Sequence, residues 1–140
     1  MEVIDANVRA GIETLVTEFS FLIDHGEASR IPRLFAEDGR FESPMATLVG
    51  QQAITAAMAQ RQTAAYNTRH VVSNLRLQSV STGCVKGTLI LTLYRWNQGD
   101  TEAQPQPTAV VEYEDVYERN SDGEWLFTSR KALQLLPTNI

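Results

Sequence analysis

The stretch His70-Val71-Val72-Ser73-Asn74-Leu75-Arg76-Leu77-Gln78-Ser79-Val80, the short link Ser81-Thr82-Gly83, and Cys84-Val85-Lys86-Gly87-Thr88-Leu89-Ile90-Leu91-Thr92-Leu93-Tyr94-Arg95-Trp96 decide the fold class. Here the period of the pattern changes from helical to strand-like, and Val, Leu, Thr and Tyr dominate. A short link ending in glycine suits an antiparallel hairpin. Two more runs of the same character follow, Thr108–Arg119 and Trp125–Leu136, joined by the strong turn signal Asn120-Ser121-Asp122-Gly123. The remaining connection, Asn97 to Pro107, is long, polar and carries two prolines, which suits a flap, a contact surface or a plain loop. Within Cys84–Trp96, alternation sends Val85, Leu89, Leu91 and Leu93 one way and Ile90, Tyr94 and Trp96 the other. Both faces are thus partly apolar. If helices cover one face, something else must cover part of the other.

Upstream, apolar residues fall at Ile4, Val8, Ile12, Leu15, Val16, Phe19, Leu22 and Ile23, a stripe at helical spacing. The spacing predicts a helix from about Asp5, its N-cap, to Asp24, closed by Gly26. A second short helix is expected from Glu27 to Ala36; Pro32 inside it means that it starts near Ile31 or is kinked there. Two extended pieces, Arg40–Ser43 and Ala46–Val49, flank a Ser43-Pro44 turn, and Gly50 opens a third helix, Gln51 to about Gln62. Helices followed by an antiparallel sheet define an α+β domain, with helices on one face of the sheet.

The whole chain, 1–140, reads as a single domain: 43% hydrophobic and 21% charged residues suit a globular protein, and neither a disordered tail nor a membrane protein. Twelve basic against seventeen acidic residues leave a net charge of −5, with no basic run, which argues against a nucleic-acid partner. One cysteine, Cys84, cannot close an intrachain disulfide, and Met1–Asp5 lacks the basic-then-apolar pattern of a signal peptide. A reducing, cytoplasmic location is expected. No Gly-x-Ser-x-Gly, phosphate-cradling glycine loop, Cys-x-x-Cys or histidine pair at metal-ligand spacing occurs, so neither a metal nor an organic cofactor is expected.

Two histidines, His25 and His70, remain with a few carboxylates. Alternation puts His70, Val72 and Asn74 on one face, so that an imidazole and an amide look into the same cavity; a hydrogen-bonded histidine at a strand end is the other reading. Asp24 lies off the apolar stripe, beside Thr17 and Ser20. Phe21, three residues earlier, is also off the stripe, which suggests a helix end covered on two sides and Asp24 at a pocket edge; a solvated aspartate is the alternative, disfavoured by the helix dipole. Tyr66, Tyr94 and Tyr113 read as ordinary core or sheet packing. Glu112 and Glu114 share one face of their strand, Tyr113 and Asp115 the other, and such faces are usually solvated; a pocket role for Glu114 is the lesser reading. Arg130 has the parity of Leu126, Thr128 and Ala132 and either binds an acidic substrate group or forms a structural ion pair.

The segments Phe21-Leu22-Ile23-Asp24-His25-Gly26-Glu27, Arg33-Leu34-Phe35-Ala36-Glu37-Asp38-Gly39, Arg69-His70-Val71-Val72-Ser73-Asn74 and Asp122-Gly123-Glu124-Trp125 resemble the SnoaL-like group of the nuclear-transport-factor-two-like superfamily, and within it the scytalone dehydratases. The resemblance spans nearly the whole chain. It implies a cone-shaped fold, a strongly bent, mixed sheet wrapped by three N-terminal helices around an apolar pocket. It also implies that Asp24 hydrogen-bonds His70, the carboxylate orienting an imidazole that takes a proton from carbon beside a carbonyl and returns it to a leaving hydroxyl. The pattern departs from the dehydratases where their carbonyl-polarising tyrosines fall at Ile23 and Ser43 and a substrate-orienting asparagine falls near Glu114, so scytalone is not the expected substrate; Tyr66, Tyr94 and Tyr113 are candidate replacements for those donors.

Two functions compete. One is a cofactor-independent dehydratase or isomerase working on a small, largely apolar carbonyl or polycyclic compound, with Asp24 and His70 as acid/base and Phe21, Tyr66, Asn74, Glu114 and Arg130 around the substrate. The other is a non-catalytic protein that binds a small hydrophobic ligand, or the small structural subunit of a ring-hydroxylating dioxygenase. The doubly apolar sheet predicts a homodimer formed through the face that helices leave bare.

Overall fold

A computed structural model describes residues 2–138. Helix α1 (Ala6–Asp24) starts at Asp5, whose side chain accepts the backbone N–H groups of Asn7 and Val8 as an N-cap. The expected second helix is a 3-10 segment, Ala28–Leu34, with Pro32 buried inside it. A proline removes one N–H and clashes with the preceding turn of an α-helix, and the chain leaves helical geometry at Phe35, three residues later. Strand β1 (Phe35–Glu42) therefore begins five residues before the predicted extended piece; β2 (Thr47–Val49) and α2 (Gln51–Thr63) follow. The four long strands are β3 (Tyr66–Ser81), β4 (Cys84–Asn97), β5 (Ala109–Arg119) and β6 (Trp125–Leu136). Gly83, at φ +77°, turns the β3–β4 hairpin in a conformation that costs glycine little.

The six strands form one bent sheet in the order β2-β1-β6-β5-β4-β3. It is mixed: β1 runs parallel to β6, and every other pair is antiparallel. The predicted α+β class and its mixed sheet are thus observed. The stripe of α1, Ile12, Leu15, Val16, Phe19 and Leu22, is buried against Leu89, Leu91, Val111, Tyr113, Tyr117 and Phe127 of the inner sheet face. Burying each such side chain contributes about 1.5–3 kcal/mol, far more than any surface ion pair here. Phe19 is the hub, with the rings of Phe35, Phe41, Tyr113 and Phe127 all within 6.5 Å in edge-on geometry.

Strand β3 is the sheet's long edge, and the chain around α1 covers part of it. Glu2 accepts the Ser79 N–H, Arg9 donates to the Leu75 carbonyl, and Asp24 accepts the His70 N–H. Satisfying an edge strand's spare backbone groups in this way blunts its tendency to pair with another chain. It also brings the last turn of α1 against the start of β3, which is what builds the site.

Candidate active site

His70 pairs with Leu93 in the β3–β4 ladder, on the same inward face as Val72. Its Nδ1 lies 2.6 Å from Asp24 Oδ1, and the two side chains are 9% and 6% exposed. The bond assigns the imidazole proton to Nδ1 and leaves Nε2 with a free lone pair, the form a general base requires. Asp24 accepts two further bonds: the His70 backbone N–H reaches Oδ2 at 2.8 Å, and the Thr68 hydroxyl reaches Oδ1 at 2.8 Å. Burial pushes the Asp24 carboxyl up, but the bonds from the His70 side chain and backbone, the imidazole's charge and the Thr68 hydroxyl outweigh it and hold the group below its ordinary value. Asp24 is covered because the edge of β3 passes beneath the end of α1, and a second covering layer is not needed.

Thr68 is in turn held by Arg61 of α2, whose Nη2 lies 2.9 Å from Thr68 Oγ1 and 3.3 Å from the Ile23 carbonyl. Arg69, on the other side, donates Nη1 to the Asp24 carbonyl at 3.0 Å. Neither Thr68 nor Arg61 stood out in the sequence. Thr68 shares the parity of His70 and Val72, and that is the signal that would have found it.

The other expected site residues are not gathered at the pair. Phe21 is 48% exposed and stacks on His25 with ring centroids 4.1 Å apart, so it faces solvent and not the interior. Asn74 does not share the face of His70: it sits in a β-bulge between Ser73 and Arg76 at φ +58°, and the extra residue resets the alternation and leaves it exposed. Glu114 is on the outer face opposite Thr88 and Lys131 and is exposed. Tyr66 packs between guanidinium groups, Arg61 at 4.5 Å and Arg95 at 3.6 Å from its ring centroid.

Arg130 forms the structural ion pair. Its Nε and Nη2 bond the two oxygens of Asp115 at 3.0 and 3.2 Å, Tyr117 donates to the same carboxylate at 2.7 Å, and both charged side chains are fully buried. Tyr113, Phe127 and Phe19 surround the guanidinium with their rings, 3.7 to 4.6 Å from it. Burial raises the Asp115 carboxyl against the downward pull of Arg130 and Tyr117, and it raises the Tyr113 phenol, which also senses the charge of Asp24. Tyr113 therefore stays in its neutral, hydrogen-bond-donating form, with its ring against the Arg130 guanidinium. The expectation that the Tyr113 and Asp115 side of β5 is solvated fails because α1 covers that face.

Surface clefts lie elsewhere. One of about 550 Å³ is bordered by Arg69, Val71, Trp96 and the β4–β5 connection, and another of about 660 Å³ lies between Glu2–Ile4 and Leu75–Gln78. Neither is lined by Asp24 or His70. Among the described residues, no three His, Cys, Asp or Glu side chains converge as metal ligands, and no helix is long and apolar enough to cross a membrane.

A bent mixed sheet closed over by a long N-terminal helix, with a buried aspartate–histidine pair where the helix meets the edge strand, defines a cone of the nuclear-transport-factor-two-like or cystatin-like class. Residues 5–131 match the model of the SnoaL-like domain, and the chain belongs to that family, which includes polyketide cyclases and dehydratases. Solved structures agree in fold. ActVI-ORFA from Streptomyces coelicolor superposes with a TM-score of 0.80 at 22% identity, over 93% of this chain and 98% of its own. A putative scytalone dehydratase from Novosphingobium aromaticivorans gives 0.79 at 21% identity, over 91% and 84%. A protein from Catenulispora acidiphila in complex with S-DNPA gives 0.79 at 19%, over 93% and 95%. No curated protein matches the chain.

Proposed function

We propose that the chain is a cofactor-independent dehydratase or isomerase acting on a small, largely apolar carbonyl or polycyclic compound. The observation that carries this is the 2.6 Å bond between His70 Nδ1 and Asp24 Oδ1 inside the cone. Asp24 orients the imidazole and stabilises the imidazolium that forms when Nε2 takes a proton from carbon beside the carbonyl. The same nitrogen then returns the proton, to a leaving hydroxyl in a dehydration or to another carbon in an isomerisation. The relatives' names support the reading, since one is called a putative scytalone dehydratase. Of the predicted substrate contacts, Arg130 and Tyr66 now belong to the frame around the interior, and Asn74, Glu114 and Phe21 lie away from it. The protein acts as a cytoplasmic homodimer in this reading.

The test is proton exchange. In D2O, the protein should speed loss of the α-proton signal of α-tetralone, followed by NMR, and His70→Ala should abolish the acceleration. An equal rate with the H70A variant would remove His70 as the base. Native mass spectrometry of the purified protein, looking for a co-purified small molecule, would supply the natural substrate.

A further inference from the structure

Asp24 Oδ1 is shared. It accepts the His70 Nδ1–H at 2.6 Å and the Thr68 hydroxyl at 2.8 Å, while Oδ2 is fixed independently by the His70 backbone N–H. A threonine hydroxyl has one proton and two lone pairs. Arg61 Nη2, 2.9 Å from Thr68 Oγ1, donates into one of those lone pairs, so the single hydroxyl proton is committed to Asp24. Arg61 is itself held by the Ile23 carbonyl and by the face of Tyr66. Thr68 is 3% exposed, so water does not compete for the bond.

We propose that Thr68, with Arg61 behind it, is a positioning residue that limits how strongly Asp24 can bind a proton on His70 and so keeps the imidazole in its neutral, basic form. This rests on the reading of His70 as the base. The physical ground is that a donor on a carboxylate oxygen draws off part of its negative charge, and a weaker carboxylate field stabilises imidazolium less. The charged and titratable groups around the pair are few and point the same way: Arg61 from α2, Arg69 from β3 on the Asp24 carbonyl, Arg95 from β4 across the Tyr66 ring, and the neutral phenol of Tyr113 from β5. His25, just past the end of α1, is turned away, bonded to the Phe21 carbonyl and stacked on its ring. Among these groups only Thr68 and the two N–H groups of His70 donate to the carboxylate itself.

The experiment is an NMR titration of the His70 imidazole in ¹⁵N-labelled full-length protein, with the amide spectrum as the check on folding. Thr68→Val keeps the shape and removes the hydroxyl; it should raise the proton affinity of His70 by about threefold or more, the usual direction when a histidine's carboxylate partner loses a competing donor. Thr68→Ser should restore the wild-type titration. Arg61→Met should shift it in the same direction as T68V but less, and it alone decides the matter if T68V fails to fold. The acid limb of α-tetralone exchange should move upward with the imidazole. A His70 titration that is unchanged or lowered in T68V, or in R61M where that variant decides, would overturn the proposal. The titration needs no substrate, so the two readings fail separately: exchange surviving in H70A would remove the base and leave the shift standing, whereas an unshifted T68V would remove the relay and leave the base standing.

Discussion

At the scale of single residues, the interior holds two buried polar groups whose energetics differ. Asp24 has its bonds to the neighbouring strand, and its carboxyl is held below the ordinary value, so its contribution to stability is fully present above the unfolded carboxyl's value near pH 4 and is lost as the pH falls through the lower folded value. Asp24→Asn should therefore be less stable than wild type at about pH 6, and the gap in urea midpoint should close toward about pH 3. The same variant should keep its fold and lose on the order of 10²-fold in turnover, with D24N/H70A losing much less than the product of the singles, because the two groups act as one. The Asp115–Arg130 pair is structural and fully desolvated. Arg130→Met strands the Asp115 charge in the core and should cost about 3–5 kcal/mol in denaturant unfolding, whereas D115L/R130M, which removes both charges, should recover most of that. A double variant as unstable as the single would mean that packing around the guanidinium, and not the stranded charge, sets the cost.

At the scale of elements, the bulge in β3 decides what faces the interior. Up to Ser73 the even residues of the strand, Thr68, His70 and Val72, point inward; from Arg76 the inward set is odd, with Leu77 opposite Gly87. Strict alternation from His70 reaches Asn74 with the wrong parity, since an inserted residue leaves no mark in a hydrophobic pattern except a residue tolerant of positive φ. Asn74→Gly should be neutral within a few tenths of a kcal/mol, while Asn74→Val, β-branched at φ +58°, should cost about 1–3 kcal/mol by urea denaturation. Equal stability of the two would mean that the bulge relaxes into regular pairing. The stripe of α1, its Asp5 cap and the four long strands were legible because each rests on local periodicity. Asp24 and His70 were legible as neighbours through family resemblance, not through spacing, because they stand 46 positions apart in the chain. Phe21 misled because an aromatic off the stripe was read as evidence of cover, when stacking on His25 was enough to hold it at the surface. Asp115 was misread for a related reason: a charged residue between two tyrosines of equal parity reads as solvated until its partner Arg130, on the neighbouring strand, is known.

At the scale of the whole molecule, the sheet is covered on its inner face by α1 and is bare on its outer one, where Ile90, Val110, Val116 and Leu133 remain half-buried and Val71 and Leu135 are exposed. Apolar side chains in such a row on a sheet are what a self-complementary, two-fold contact buries. A stable dimer needs about 800 Å² from each partner, roughly a tenth of the 8450 Å² that this chain exposes. The outer face also carries Glu112 and Glu114 on β5 and Lys86 and Lys131 on the strands beside it, charges of both signs that a two-fold axis can pair crosswise. Light scattering at micromolar concentration should therefore give twice the 15.6 kDa of the chain. Leu133→Glu, which puts a carboxylate beside Glu112 in the middle of that face, should raise the dissociation constant by about 100-fold or more, because like charges brought together across an interface cost several kcal/mol. The variant's circular dichroism should stay that of the folded domain, since Leu133 points away from the core. A wild-type monomer would end the idea of a sheet-face dimer, and a dimer unmoved by L133E would relocate the contact to the β4–β5 connection or the edge strand.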